Sequence, residues 1–389
     1  MKLTPDSQRL LNFVNTNIKI PKNVLNNKSR AFLSTLLTKM KQYDKHWESK
    51  IKEYVPEQNQ NLDEIIPQNI RNDLITKYQN QFSFYLPIGK RKFFINLFFR
   101  NDIYKHECMN YCKRVIHQIY LWLSVANYYA SEDVAMVLKI YIYFTDHKKV
   151  LPSSDKVLDV LHVNSAFTYA CKRDSSITLF RQEEWFKVFI HETFHCMGLD
   201  FACMNTHELD QRMYELFKLK QDDLRVYEAY TENWAEIINV LFISYLSTRD
   251  KTNGDLLLQK TEIMLNNERK FSLYQLCKVL HHNKMFYQDL FSTSEVSINR
   301  KRNYKENTYV LSYYLIKAIF IFNMNDFLLW TKQNNKNIEF VKTDENLRSL
   351  ATFIENKYKN SNFVEFMKTI ANNNFDYSNT TMRMSLHEI

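Results

Sequence analysis

Glycine is nearly missing. The 389 residues hold three, Gly89, Gly198 and Gly254. A GxGxxG dinucleotide loop, a GxxxxGK phosphate loop and a GxSxG nucleophile elbow each need glycines closer together than these, so all three are excluded. Proline stops early: Pro5, Pro21, Pro56, Pro67, Pro87 and Pro152 are the six, and none follows from Ser153 to Ile389. Nothing in that stretch forbids long helices. The opening MKLTPDSQRL lacks the apolar stretch of a signal peptide. The most apolar later run, Leu311 to Trp330, is broken by Lys317, Asn323 and Asp326, so no membrane span is expected. Six cysteines without a spacing pattern point to free thiols in a reducing, intracellular or cytoplasmic setting.

What is present is ample core material. Hydrophobic residues make up 45% and aromatics 15%, enough to bury a sizeable interior, so disorder is not the default. The charge is basic, 52 Lys and Arg against 43 Asp and Glu, a net +9. Residues 1–60 hold 11 of those cations and 5 of those acids. Such an arm can touch nucleic acid or another anionic surface, but its cations are not interleaved with aromatics, and a solvated helical face is the plainer reading.

Pattern gives a coarse organisation without internal repeats. Residues 1 to about 80 read as helices split by turns near Pro21, Pro56 and Pro67. His106 to Ala130 is helical in pattern, and Val137 to Thr145 is β-branched and aromatic, hence a strand. His162–Tyr169 and Ser176–Phe180 read as two shorter strands. A helix is expected from near Gln182 to Gly198, a residue suited to the left-handed turn that ends helices. Another spans about Asp222 to Leu246, and after Gly254 the chain reads as almost wholly helical. The expected fold is α+β and predominantly helical, in three regions: 1–130 helical, 131–250 carrying a small sheet and the motif helices, and 251–389 helical.

The segment that carries chemistry is His191-Glu192-Thr193-Phe194-His195, an HExxH. On a helix, residues four apart share a face, so both imidazoles reach one metal ion. Glu192 is turned by about 100°, beside the ion, where it can take a proton from a water the metal activates. With so few histidines a chance HExxH is expected roughly 0.02 times in such a chain.

A third protein ligand is required. The spacing HExxHxxGxxH would place it at position 201, which is Phe201. Asp200 lies one residue early. Further on, Glu228, Glu232 and Glu236 form an i, i+4, i+8 stripe with no Lys or Arg between them. Like charges so spaced cost about 0.2–0.5 kcal/mol per pair, so the stripe should face something positive.

HExxH followed by a helix carrying Thr231-Glu232-Asn233-Trp234-Ala235-Glu236 resembles the gluzincin branch of zincin metallopeptidases. The resemblance covers about residues 136–247. It implies a zincin-like core within 131–250 and one zinc per chain, held by His191, His195 and Glu232. It also implies Glu192 as general base and Glu236 as the carboxylate that orients a ligand imidazole. Glu228 would then lie nearer the rim. Asn164-Ser165-Ala166-Phe167 is similar to the edge strand that pairs with an extended peptide, so a peptide or protein substrate is implied. The gap of 37 residues from His195 to Glu232 departs from the family in holding an extra helical insert around Glu208 to Leu219. Trp185 to His195, with the Asn, Lys and Ile bias, also resembles proteins encoded by giant DNA viruses, which implies a host-cytoplasm or virion setting. The alternative function is a non-enzymatic, virion-associated or structural protein that keeps a zinc site for folding.

Oxyanion stabilisation needs a donor, often a Tyr or His of the C-terminal region. Tyr313 and Tyr314 are the candidates, with His281 and His282 next by residue type. Cys108 and Cys112 share a helix face and read as buried thiols, and Cys196 and Cys203 as packing residues.

Overall fold

The computed structural model describes residues 2–45, 47–56, 62–219, 224–372 and 379–389. Six strands form one open, mixed sheet: β1 (Lys52–Glu53), β2 (Asn80–Ile88), β3 (Arg91–Phe99), β4 (Val137–Tyr143), β5 (Ala166–Thr168) and β6 (Asp174–Leu179), in the order β1-β2-β3-β4-β6-β5. The strands β2 and β3 make an antiparallel hairpin, turned at Gly89 with φ +58°. The pairings β3–β4 and β4–β6 are parallel, and β5 returns antiparallel at the far edge. A parallel pair needs a crossover. The helix Lys105–Tyr129 supplies it between β3 and β4.

Helix dominates the rest. In chain order α1 is Pro5–Asn17, α2 Asn27–Tyr43, α3 Gln68–Lys77, α4 Lys105–Tyr129 and α5 the single turn Val160–Val163. Then come α6 (Trp185–Cys196), α7 (His207–Phe217), α8 (Val226–Ser247), α9 (Gly254–His282) and α10 (Glu295–Arg302). A π-helical turn at Ser312–Ile316 leads into α11 (Lys317–Phe322), followed by α12 (Met324–Asn334), α13 (Asp344–Lys357) and α14 (Ser361–Asn372). The chain is thus α+β and mainly helical, as its pattern suggests. Among the described residues no helix is long and apolar enough to cross a membrane.

The helices α6 and α8 form the centre. All twelve residues of α6 are buried. Its Phe194 ring stacks on Trp122 of α4, whose indole N–H donates to Thr193 Oγ1 at 2.8 Å. Packed on both sides, α6 is apolar over most of its surface, with Lys187, His191 and His195 forming one buried polar stripe. The carbonyls at its end are met by the amides of Gly198 (φ +65°) and Leu199, which donate to His195 and Phe194.

Several expectations shift. Much of His162–Tyr169 is not strand: the Asp159 side chain accepts from the Leu161 amide and starts the turn α5, leaving Ala166–Thr168 as β5. The helix expected from Gln182 begins at Trp185, after Glu184 in the left-handed region (φ +59°). The start of α8 was expected near Asp222, outside the described residues; α8 itself is Val226–Ser247. The sheet runs across residue 130, since β3 pairs with β4. Free thiols hold for Cys108, Cys112, Cys196 and Cys277, all buried, but not for Cys171 and Cys203. These two form a disulfide with Cα atoms 6.3 Å apart, because the β5–β6 turn meets the loop after α6.

The last described stretch, 379–389, is not helical. It threads through the interior with Met384, Leu386 and His387 buried. Glu268 accepts from the Leu386 and His387 amides at 2.7 and 2.9 Å. Glu184 accepts from the amides of Met384 and Ser385 at 3.1 and 2.6 Å.

Candidate metal centre

The HExxH falls on α6, and its two histidines point at α8. Their rings lie 4.7 Å apart, centroid to centroid, and nearly perpendicular at 79°. The Nε2 atoms of His191 and His195 are 3.0 Å apart. Glu228 Oε2 lies 3.1 Å from the first and 3.3 Å from the second. Among the described residues this is the one group of His, Cys, Asp or Glu side chains whose donor atoms converge closely enough to hold a metal ion. Two ligands each 2.0–2.1 Å from a tetrahedral ion lie roughly 3.3 Å from each other, which the triangle approaches.

The chemistry of the donor set also fits a cation. His191 Nδ1 faces Glu232 Oε2 at 3.0 Å, and His195 Nδ1 faces Asp200 Oδ2. A carboxylate at Nδ1 holds the ring proton there and leaves the Nε2 lone pair free. In that tautomer two Nε2 lone pairs and a carboxylate oxygen face one another, as ligands to one cation would. Such a cluster needs positive charge. Four carboxylates (Glu192, Asp200, Glu228 and Glu232) surround the two imidazoles. The buried Lys187 ammonium lies 2.6 Å from Glu232 Oε1.

Ionisation reflects the same imbalance. Burial alone would lower both imidazole pKa values, yet His191 is raised by Glu228 and Glu232, and His195 well raised by Asp200 and Glu228. Burial alone would raise Glu228, but the imidazoles hold it well below the usual carboxylate range. Glu192 is raised, first by burial and then by Glu228 and Glu232, against the opposing pull of the imidazoles. A carboxylate beside the donor triangle is placed to accept a proton.

The sequence candidates therefore separate. His191, His195 and Glu192 line one cleft of about 450 Å³, with Glu228, Tyr313 and the strand β5. Glu232, expected as third ligand, sits on the Nδ1 side of His191, and Glu228 takes the place among the Nε2 atoms. Glu236, expected to orient an imidazole, pairs instead with Lys317 at 2.6 Å, and that ammonium also donates to Ser272 Oγ and Met384 O. Glu228 and Glu232 keep the four-residue spacing of the expected pair, one turn earlier on α8. The Glu stripe alone cannot show which turn meets α6, because that depends on where the two helices cross.

Tyr313 and Tyr314 part company in the π-helical turn. Tyr313 OH donates to Glu228 Oε2 at 3.1 Å, and its ring is 6.0 Å from that of His191. Tyr314 OH donates to Met382 O at 2.6 Å, away from the cleft. A π turn offsets successive side chains relative to an α-helix and recurs at functional sites. Asp200 is the acidic residue one position short of the HExxHxxGxxH spacing. It accepts from Thr231 Oγ1 at 3.1 Å and the Ala202 amide at 3.2 Å while meeting His195 Nδ1, so it is fixed as a ring partner. Lys187 carried no motif signal.

The cleft wall includes β5, which among the described residues pairs with β6 alone and leaves its other edge unpaired. The approach to β5 is held by Arg181, buried, whose guanidinium donates to the carbonyls of Lys148, Leu161 and Asn164 at 2.6–3.0 Å. No protein-family model matches the chain, and no curated protein and no solved structure matches it.

Proposed function

We propose that the chain is a zinc-dependent metallopeptidase of zincin, gluzincin-like type, with His191, His195 and Glu228 as the metal ligands. The observation that carries this is the convergence of those three donors, with both Nδ1 atoms occupied by carboxylates, in the cleft that Glu192 also lines. A purely structural site has no use for a free carboxylate beside the ligands. Bound zinc would supply Lewis acidity at a scissile carbonyl and lower the pKa of a water toward about 7.

The chain's own residues divide the remaining work. Glu192 takes the proton from the attacking water and returns it to the leaving amine. Glu232 and Asp200 hold the two rings in the tautomer that offers Nε2. Tyr313 OH, which reaches the ligand Glu228, supports charge that develops on the carbonyl oxygen. The free edge of β5 adds an extended substrate by main-chain hydrogen bonds and lays it across the cleft.

The test is metal analysis of the purified chain together with cleavage of a random peptide library. One zinc per chain, lost in His191→Ala and His195→Ala, and cleavage lost in Glu192→Gln, are expected. Stoichiometric metal without any cleavage would favour a structural zinc protein.

A further inference from the structure

Next to the metal cleft lies a second, larger hollow of about 670 Å³ with basic walls. Lys156 comes from the segment before α5, Lys284 from the turn after α9, and Lys305 from the segment after α10. These three lysines are exposed and make no ion pair among the described residues. Arg300 also lines the hollow but is engaged by Asp289 at 3.3 Å. Asp155 is the one acidic residue in its walls. The walls are tied together: His282 Nε2 lies 2.8 Å from Lys156 O, and the Lys305 amide donates to Asn283 Oδ1 at 3.4 Å. The hollow is thus built from three fastened segments that carry unneutralised charge on their outer side.

It also adjoins the site. Residues 305 and 306 are successive, the first in the basic hollow and the second in the metal cleft. The strip between the two is the bridge Leu158–Glu306, where the Asn307 amide donates to Leu158 O at 2.8 Å. Leu158 and Glu306 are both buried. A chain lying over the metal ligands would thus have the basic hollow next to it, past this bridge.

We infer that this hollow is a substrate subsite for an acidic stretch of the protein substrate, displaced along the chain from the scissile bond. The inference rests on the peptidase reading above for the word substrate; the recognition of acidic peptide does not depend on turnover. Charge complementarity names the occupant. Single-stranded nucleic acid, the other polyanion, is held by stacking on aromatic side chains, and no Phe, Tyr or Trp lines this hollow.

The test is fluorescence anisotropy on the full chain with a labelled peptide carrying four consecutive glutamates. Wild type and Glu192→Gln should bind it alike. The triple variant Lys156→Ala, Lys284→Ala, Lys305→Ala should bind roughly tenfold more weakly, the sum expected of three exposed charge contacts. Raising salt from about 50 to about 300 mM should erase most of the difference. In the random peptide library the same triple variant should lose the enrichment of Asp and Glu at a fixed distance from the cut while still cutting neutral peptides. Binding of the acidic peptide with no cleavage of any peptide would leave the subsite and discard the peptidase. Cleavage with binding that ignores the three lysines would discard the subsite. So would an oligonucleotide of equal charge that binds more tightly than the peptide and is lost in the triple variant.

Discussion

The Nδ1 of His191 lies 3.0 Å from Oε2 of Glu232, on the ring edge opposite the one that faces His195. That single contact sets the order of the acidic stripe on α8. A glutamate on the Nδ1 side orients the ring, so the glutamate one turn earlier is the one that meets the Nε2 atoms. Lys187 then fixes Glu232 from its other oxygen. Each ring is held by one carboxylate, and each carboxylate by a further donor.

The stripe can be separated by metal content. Glu228→Ala removes a direct donor and its charge, leaving two imidazoles, so zinc should be largely lost. Glu232→Ala keeps all three donors but frees the His191 ring, which typically costs 10–100-fold in affinity or activity. Glu236→Ala should leave metal affinity unchanged, because its carboxylate meets Lys317. Titration with a chromogenic chelator reads all three. Zinc kept in Glu228→Ala and lost in Glu232→Ala would return the third ligand to Glu232.

Glu192→Gln should keep both the metal and the fold while removing cleavage. The amide is nearly the same size but cannot take up the water's proton, and general acid–base assistance is worth roughly 10²–10⁴-fold. Turnover within a few-fold of wild type, with metal content equal, would remove Glu192 from the reaction.

Much of this site is legible in the sequence because its logic is local. HExxH places two imidazoles on one helical face whatever the fold, and Gly198 marks the turn that ends the helix. The stripe on α8 is equally visible, down to its need for a positive neighbour. Which glutamate does what is not local, since it follows from where α8 crosses α6. The hairpin β2–β3 escapes for another reason. Buried along most of its length on both faces, β3 reads Phe93-Phe94-Ile95-Asn96-Leu97-Phe98-Phe99 and shows no alternation. The disulfide joins residues 32 apart, with no spacing rule to announce it. The buried C-terminal segment is short, and its anchors Glu184 and Glu268 are far away in sequence.

Tyr313→Phe isolates the hydroxyl. Metal content should not change, because Glu228 keeps both imidazole contacts. If the hydroxyl supports the developing oxyanion, kcat should fall by roughly 10²–10³ with little change in KM, as for loss of one such donor. Tyr314→Phe should leave kcat alone, since its hydroxyl is spent on Met382 O. Steady-state kinetics on one cleaved peptide decide it: equal losses in both variants would point to packing of the π turn and not to chemistry.

Acid should loosen the C-terminal segment through Glu184. Burial by itself would raise this carboxyl, but Lys149, Lys187 and Arg383 outweigh it and hold the group well below its ordinary value of 4.5. Its oxygens accept from the amides of Met384 and Ser385, so the ionised form is what ties the segment down. A carboxyl depressed on folding stabilises fully above its unfolded pKa, and that contribution is lost as pH falls through the folded one. The window therefore opens just below pH 4.5 and extends downward. Glu184→Gln removes one partner of a buried charge cluster and takes from Lys149 its hydrogen-bonded carboxylate, which should cost about 3–5 kcal/mol at pH 7. It should also flatten the decline of stability below pH 4.5, because the variant has no proton to gain there. Urea unfolding at pH 7 and at pH 4 measures both, and hydrogen exchange at residues 382–387 should report the same opening locally. Equal stability of variant and wild type at pH 7, or an unaltered acid slope, would mean that the segment is held by its apolar side chains and not by Glu184.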